Sequence, residues 1–257
     1  MDWIQIAVLA VVQGLTEFLP VSSSAHLVLV APIMGWPDQG LAFDIAVHVG
    51  TLLAVLVYFR QRLWQLAMGC LRPGAEQTEV IYLGVATLPA VLAGLLFNDW
   101  LASWSRAPEV IMVTTLVFGL LLGFADRRAG RGIQITLSIA LVIGLFQVLA
   151  LVPGTSRSGI TMTAALLLGV SRIEAARFSF MLSIPIIAGA SLLLVKDAMV
   201  AQSAILWGDW LFGAGLAAVS ALLCIRFFML LVERIGMMPF VWYRIGLSGA
   251  LAAWLYL

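Results

Sequence analysis

Six apolar runs, at 41–59, 79–98, 109–125, 178–196, 209–231 and 239–257, dictate the solvent in which this chain folds. Each is close to the roughly 20 residues that an α-helix needs to cross about 30 Å of hydrocarbon. Composition agrees: 63% of the residues are hydrophobic, 11% are charged and the mean hydropathy is +1.08, whereas soluble domains carry about 25% charged residues. Fourteen basic against 13 acidic residues leave a net charge of +1, which gives no reason to expect nucleic acid or an acidic partner. Cys70 and Cys224 are the only cysteines, one in a predicted loop and one in a predicted membrane helix, so no disulfide framework or CxxC metal site follows. The opening MDWIQIAVLAVVQG has Asp2 in place of a basic segment and no small-residue cleavage pattern. It is expected to belong to the mature fold rather than to a signal peptide.

Two regions break the pattern. In 4–35 and 133–171 an apolar run leads into a polar centre of Pro, Ser and Thr, and then into a second apolar run of roughly 10 residues, too short to cross. Re-entrant helical hairpins are expected there. The fold class is then an all-α integral membrane protein of about six transmembrane helices plus two re-entrant hairpins, in one polytopic domain over 1–257. Arginines orient it, because short cytoplasmic loops collect them. Arg60, Arg62 and Arg72, Arg127, Arg128 and Arg131, Arg172 and Arg177, and Arg234 and Arg244 read as loop residues on one side. The other side holds Arg106 and Lys196 among Asp38, Asp99, Glu109, Asp197 and Asp209. On this count 4–35 enters from outside, 133–171 enters from the cytoplasm, and both termini lie outside. Most of the nine tryptophans read as interfacial anchors, with Trp100, Trp104, Trp207 and Trp210 near the outer ends.

The two hairpins also resemble each other. GLTEFLPVSSSAHL, from 14, and GLFQVLALVPGTSRSGIT, from 144, share a Gly-Leu start, a polar residue, a proline and a serine cluster. FDIAVHVGTLLAVL, from 43, likewise resembles FSFMLSIPIIAGASL, from 178. Units of about 1–125 and 133–257 entering from opposite faces make an inverted-topology repeat, the design that brings broken helices and a polar site to the bilayer midplane.

Charge and irregular backbone at membrane depth are costly unless they meet partners or line a wet cavity. Convergence of the tips would put Glu17 and His26 against Ser156, Arg157, Ser158 and Thr161. Arg157 has no carboxylate near it in sequence, and Gly154 and Gly159 allow the backbone to approach a bound group. With hydroxyls and free N–H groups at the start of a helix near 160, the combination asks for phosphate. Glu17, with Gln13 one turn before it, could hold a hard divalent cation that bridges phosphate oxygens.

QGLTEFLPVSSSAH (13–26) and PGTSRSGITMTAALLLG (153–169) together resemble the two signature regions of the bacterial undecaprenyl-diphosphate phosphatase, or bacitracin-resistance, family, and the likeness runs through nearly the whole chain. The resemblance implies a multi-pass enzyme of the bacterial inner membrane that removes the terminal phosphate from a C55 prenyl diphosphate lipid. It also implies an active site open to the periplasmic side, dependence on Mg²⁺ or Ca²⁺, and a homodimer. Position by position, Glu17 fills the acidic place, Gln13 a place taken by Glu or Gln, and Ser23 and His26 the serine and histidine places. Ser156, Arg157 and Thr161 fill those of the second motif, with Gly154 beside them as a substrate-binding position. Two departures matter: Gln13 removes a second anionic metal ligand, and Ala25 replaces a common glycine.

The chemistry expected is metal-assisted phosphoryl transfer in which Arg157 and the metal offset charge on the transferred oxygens. Ser23 activated by His26, or a water with His26 as its base, serves as nucleophile. Ser22, Ser24 and Ser158 are expected mostly to satisfy freed backbone groups. Asp44 and His48, one turn apart, either line the same cavity or pair with each other. The rival from another class is a lipid-phosphate transporter using the same midplane site, since broken helices in inverted repeats serve transporters too. His26 beside Ser23 weighs against it, because proton-transfer chemistry is not needed for binding alone.

Overall fold

The computed structural model describes residues 1–37, 39–97, 107–130, 132–200 and 207–257. Among them the chain forms α1 (Trp3–Thr16), α2 (Ser23–Met34), α3 (Gly40–Tyr58), α4 (Arg60–Gly69), α5 (Ala75–Leu96) and α6 (Pro108–Asp126). There follow α7 (Leu137–Val148) with a 3-10 turn at Leu149–Leu151, α8 (Arg157–Leu167), α9 (Arg172–Val200), α10 (Trp207–Ile235) and α11 (Met238–Tyr256). No strand occurs among the described residues. Asp38, Asp99, Trp100, Trp104, Arg106 and Arg131, and the side chains of Lys196 and Asp197, lie outside the described residues.

The helix termini follow local chemistry. Pro108 opens α6 after extended Ala107, with Glu109 in the first turn, and α10 carries Asp209 in its first turn and Arg234 in its last. These placements suit a proline at the first helical position and the sign of the helix dipole. Helices α5, α6, α9 over Arg172–Leu193, and α10 are long and apolar enough to cross a membrane. Helix α3 and α4, bent by 74° at their junction, make a fifth if the pair is one span. The protein is therefore a multi-pass, all-helical membrane protein. Helix α11 covers the sixth predicted run, but Arg244 and Ser248 dilute its hydropathy, and both are buried.

Helix α1 packs along α10, and α7 packs along α5. Each contact depends on a glycine of the shared Gly-Leu pair. A Cβ on Gly14 would collide with Ser220 Oγ and lie 2.7 Å from the Ala217 carbonyl, and one on Gly144 would lie 2.7 Å from the Ala86 carbonyl. Helix α8 packs against α6, α7 and α9 and is buried continuously from Ser158 to Leu166. A chain of aromatic contacts, Phe18 to Phe180 at 5.3 Å, Phe180 to Phe228 at 5.5 Å and Phe228 to Phe240 at 5.5 Å, ties the first hairpin to α9, α10 and α11. Such packing fills the interior at organic-crystal density and fixes where the hairpin tips can sit.

Several arginines read as topology residues also hold helices together. Arg62 pairs with Glu79, whose other oxygen accepts from Arg177 Nη1 at 2.8 Å, and Arg177 Nη2 reaches Glu174 at 2.9 Å. Arg172 Nε bonds Asp126 Oδ1 at 2.6 Å while the Met237 N–H donates to Asp126 Oδ2 at 3.2 Å. Arg244 is no loop residue at all: it lies inside α11 with no solvent exposure.

Candidate functional site

Both broken segments turn in the same way. After α1 the chain passes through Glu17, Pro20 and Ser22 into α2, and after the 3-10 turn it passes through Pro153, Gly154 and Ser156 into α8. Ser22 and Ser156, with φ of 75° and 72°, are the non-glycine residues of positive φ among the described residues. That conformation costs a serine on the order of 1–3 kcal/mol. In return Ser156 Oγ accepts the Gly159 N–H at 3.2 Å, and Ser22 Oγ lies 3.5 Å from the Ala25 N–H, each at the opening of a helix.

The residue that follows each strained serine reaches the same carboxylate. Ser23 Oγ donates to Glu17 Oε2 at 2.7 Å, and Arg157 Nη2 donates to Glu17 Oε1 at 2.9 Å. Gln13 Nε2 adds a bond to Oε2 at 3.0 Å, and His48 Nε2 stands 4.0 Å from the same oxygen. Arg157 Nη1 is tied to the Ser179 carbonyl at 3.2 Å. Glu17 is only 8% exposed, so its ionised form depends on these donors.

The remaining expected residues divide between lining and support. Thr161 Oγ1 is occupied by the Arg157 carbonyl at 2.9 Å and Ser179 Oγ at 2.7 Å, one turn below the guanidinium it steadies. Ser158 Oγ donates to the Leu19 carbonyl at 2.9 Å and stitches the second tip to the first. Gly154, at φ 84°, is required by α6: a Cβ there would collide with Thr114 Oγ1 and lie 2.7 Å from the Ile111 carbonyl. His26 does not face Ser23. Its Nδ1 lies 2.7 Å from the Ser22 carbonyl and its Nε2 2.5 Å from the Tyr243 hydroxyl. Of the α3 pair, His48 joins the site, whereas the Asp44 carboxylate accepts from Gln39 Nε2 at 3.0 Å and meets His48 through its backbone carbonyl at 2.7 Å.

Arg244 is the functional residue that sequence reasoning misplaced. Nε donates to the Thr115 carbonyl at 2.9 Å, Nη1 to Thr155 at 3.0 Å and Pro20 at 3.3 Å, and Nη2 to Gly154 at 3.0 Å and Thr114 at 3.3 Å. One buried guanidinium thus spends its five N–H donors on carbonyls from both tips and from α6. Its signal was present in the sequence as an arginine inside an apolar run, a default functional hint in a membrane helix. With Arg157 and Glu17 it leaves the tips one positive charge in excess while the histidines are neutral, which suits an anion.

The donor set also fits a cation of one kind. Among the described residues no three His, Cys, Asp or Glu side chains form a metal cluster. Yet Gln13 Oε1 is buried with no hydrogen-bond partner beside the Glu17 carboxylate. One carboxylate and one amide oxygen suit a hard divalent ion that takes its other ligands from water and substrate phosphate.

Helices and charge define a membrane protein in which two broken segments converge on one buried carboxylate. The family described as bacitracin resistance protein BacA matches residues 6–250, and the chain belongs to that family. It is 52% identical over 264 residues to the undecaprenyl-diphosphatase of Hahella chejuensis, with 100% of this chain and 99% of that protein covered. The undecaprenyl-diphosphatases of Alteromonas mediterranea (50% identity, 99% and 98% covered) and Alcanivorax borkumensis (51%, 99% and 100%) are similarly close.

Proposed function

We propose that this chain hydrolyses undecaprenyl diphosphate to undecaprenyl phosphate and inorganic phosphate, recycling the lipid carrier for cell-wall synthesis and conferring bacitracin resistance. The observation that carries the mechanism is the convergence of Ser23 and Arg157, from separate hairpins, on the two oxygens of Glu17. The names of the relatives favour hydrolysis over lipid transport at the same site.

Ser23 is the nucleophile in this reading. Its hydroxyl already donates to Glu17, which orients it and can receive its proton. Attack on the terminal phosphorus breaks the bridging P–O bond, leaves the prenyl monophosphate and forms a phosphoserine that water then hydrolyses. Arg157 releases part of its hold on Glu17 to the phosphoryl oxygens, where a guanidinium fork matches the developing charge. Ser156, Gly154 and Thr161 shape and brace that phosphate position, and His26 exchanges a proton at its edge. Glu17 and Gln13 Oε1 would hold Mg²⁺ or Ca²⁺, which when bound offsets charge on the phosphate oxygens.

The same reading extends to architecture. The pairing of α1 with α10 and of α7 with α5, each through its own Gly-Leu glycine, supports an inverted repeat of about 1–125 and 133–257 within one domain. Its re-entrant hairpins are 4–35 and 133–171, its six spans run through α3, α5, α6, α9, α10 and α11, and its active site opens to the periplasmic side of the inner membrane of a homodimer.

The test is release of inorganic phosphate from undecaprenyl diphosphate by detergent-purified protein, with EDTA and then with Mg²⁺ or Ca²⁺ restored. Release that EDTA stops and the metal restores is expected. A folded protein that releases none would refute the proposal.

A further inference from the structure

The contact between His26 and Tyr243 joins the first hairpin to α11, the helix that also carries the Arg244 clamp. The Tyr243 hydroxyl lies 2.5 Å from His26 Nε2, across 217 residues of sequence, and the two rings are close to parallel at 13° with centroids 5.6 Å apart. The other ring nitrogen, Nδ1, is 2.7 Å from the Ser22 carbonyl. A carbonyl only accepts, so Nδ1 carries the proton, Nε2 presents its lone pair and the phenol donates to it. The imidazole is thus held at both nitrogens, on one side by its own hairpin and on the other by α11. Because the neighbouring Arg244 bonds the Pro20, Gly154 and Thr155 carbonyls, the phenol's position is referenced to both tips. Tyr243 is 47% exposed, so its hydroxyl contributes little to the folded core.

We propose that Tyr243 is a positioning residue for the reaction: its hydroxyl donates to Nε2 of the Nδ1–H tautomer that the Ser22 carbonyl selects, and so holds the imidazole ring in place beside the tips. The proposal rests on the phosphatase reading above for its consequence in turnover, but not for the hydrogen bond itself.

The chain has two histidines, so ¹⁵N imidazole NMR of the detergent-solubilised protein resolves both, and His48→Gln assigns them. In the parent protein His26 should show one protonated nitrogen, Nδ1, and one hydrogen-bonded bare nitrogen, Nε2. Tyr243→Phe keeps the ring and removes the hydroxyl. It should move the Nε2 signal toward that of free imidazole while Nδ1 stays protonated against the Ser22 carbonyl. The kcat should fall roughly tenfold, part of the roughly 10²–10⁴ that a positioned acid or base supplies, with KM changed less than about twofold. Unchanged ¹⁵N signals in Tyr243→Phe would overturn the proposal. So would a raised KM at constant kcat, which would make the phenol a substrate-binding group. A parent protein that releases no phosphate refutes the phosphatase reading instead, while the ¹⁵N spectra still decide the hydrogen bond.

Discussion

The two hairpins share a backbone plan and differ in the charge they deliver. Each turns through a proline into a serine of positive φ and opens a helix from it: Ser22 before α2, Ser156 before α8. In each the serine pair two apart lies 3.3 Å oxygen to oxygen, Ser22 with Ser24 and Ser156 with Ser158. The first hairpin then supplies the carboxylate and a small hydroxyl, Glu17 and Ser23, and the second supplies the guanidinium, Arg157. Both charges are buried, and neither half can carry its own without the other, because an unpaired buried ion is expensive. Two segments of like backbone therefore become one site by carrying opposite charges.

The largest effect should come from breaking that complementarity. Arg157→Ala should lower phosphate release by at least about 10³-fold, the scale on which a guanidinium supports phosphoryl transfer. Glu17→Gln should fall as severely, since it unseats Ser23 and Arg157 together. If the two act as a unit, the double variant loses no more than the worse single one. Additive losses, measured as kcat/KM, would show that the hairpins work independently.

Arg244 sits between the hairpins and belongs to neither. Arg244→Met should lower stability by about 3–5 kcal/mol, because five carbonyls from both tips and α6 lose a buried donor at once. Thermal unfolding in detergent, followed by circular dichroism, measures it. A loss below about 0.5 kcal/mol, within the range of an ordinary surface substitution, would mean that the tips hold their geometry without the clamp.

This residue also marks where sequence reasoning stops. The broken segments, the residues brought to their tips and the helical runs were legible, because proline, clustered serine and charge in an apolar background have few physical explanations. The partners were not. That His26 turns to Tyr243 rather than to Ser23, and that a Cβ at Gly154 would meet Thr114 and the Ile111 carbonyl, depends on how α6 and α11 pack against the tips. Spacing along the chain carries no record of such long-range contacts. Arg244 was misassigned because an arginine counted with Arg234 as a loop residue reads as topology until the helix around it is seen to bury it.

A smaller effect separates the two supporting contacts. Gly144→Ala should cost about 1–3 kcal/mol, because its methyl meets the Ala86 backbone, which moves only with α5. Gly14→Ala meets both a backbone carbonyl and the Ser220 hydroxyl. Ser220→Ala should therefore recover part of the Gly14→Ala loss and none of the Gly144→Ala loss in the same melting experiment. Equal recovery for both would mean that the two helix contacts are not separate.

The smallest predicted difference lies in the strained serines themselves. Alanine at either position keeps the unfavourable φ and removes the cap, whereas glycine removes the strain as well as the cap. Ser156→Ala should therefore destabilise by about 1–2 kcal/mol and Ser156→Gly by only a few tenths. At Ser22 the cap contact is longer, 3.5 Å against 3.2 Å, so Ser22→Ala should cost less than Ser156→Ala, and Ser22→Gly should be neutral or slightly stabilising. The four melting temperatures test the hairpin comparison where charge plays no part. Ordering by hairpin would show that the second tip is the more tightly built, and identical pairs would leave charge as the whole difference between them.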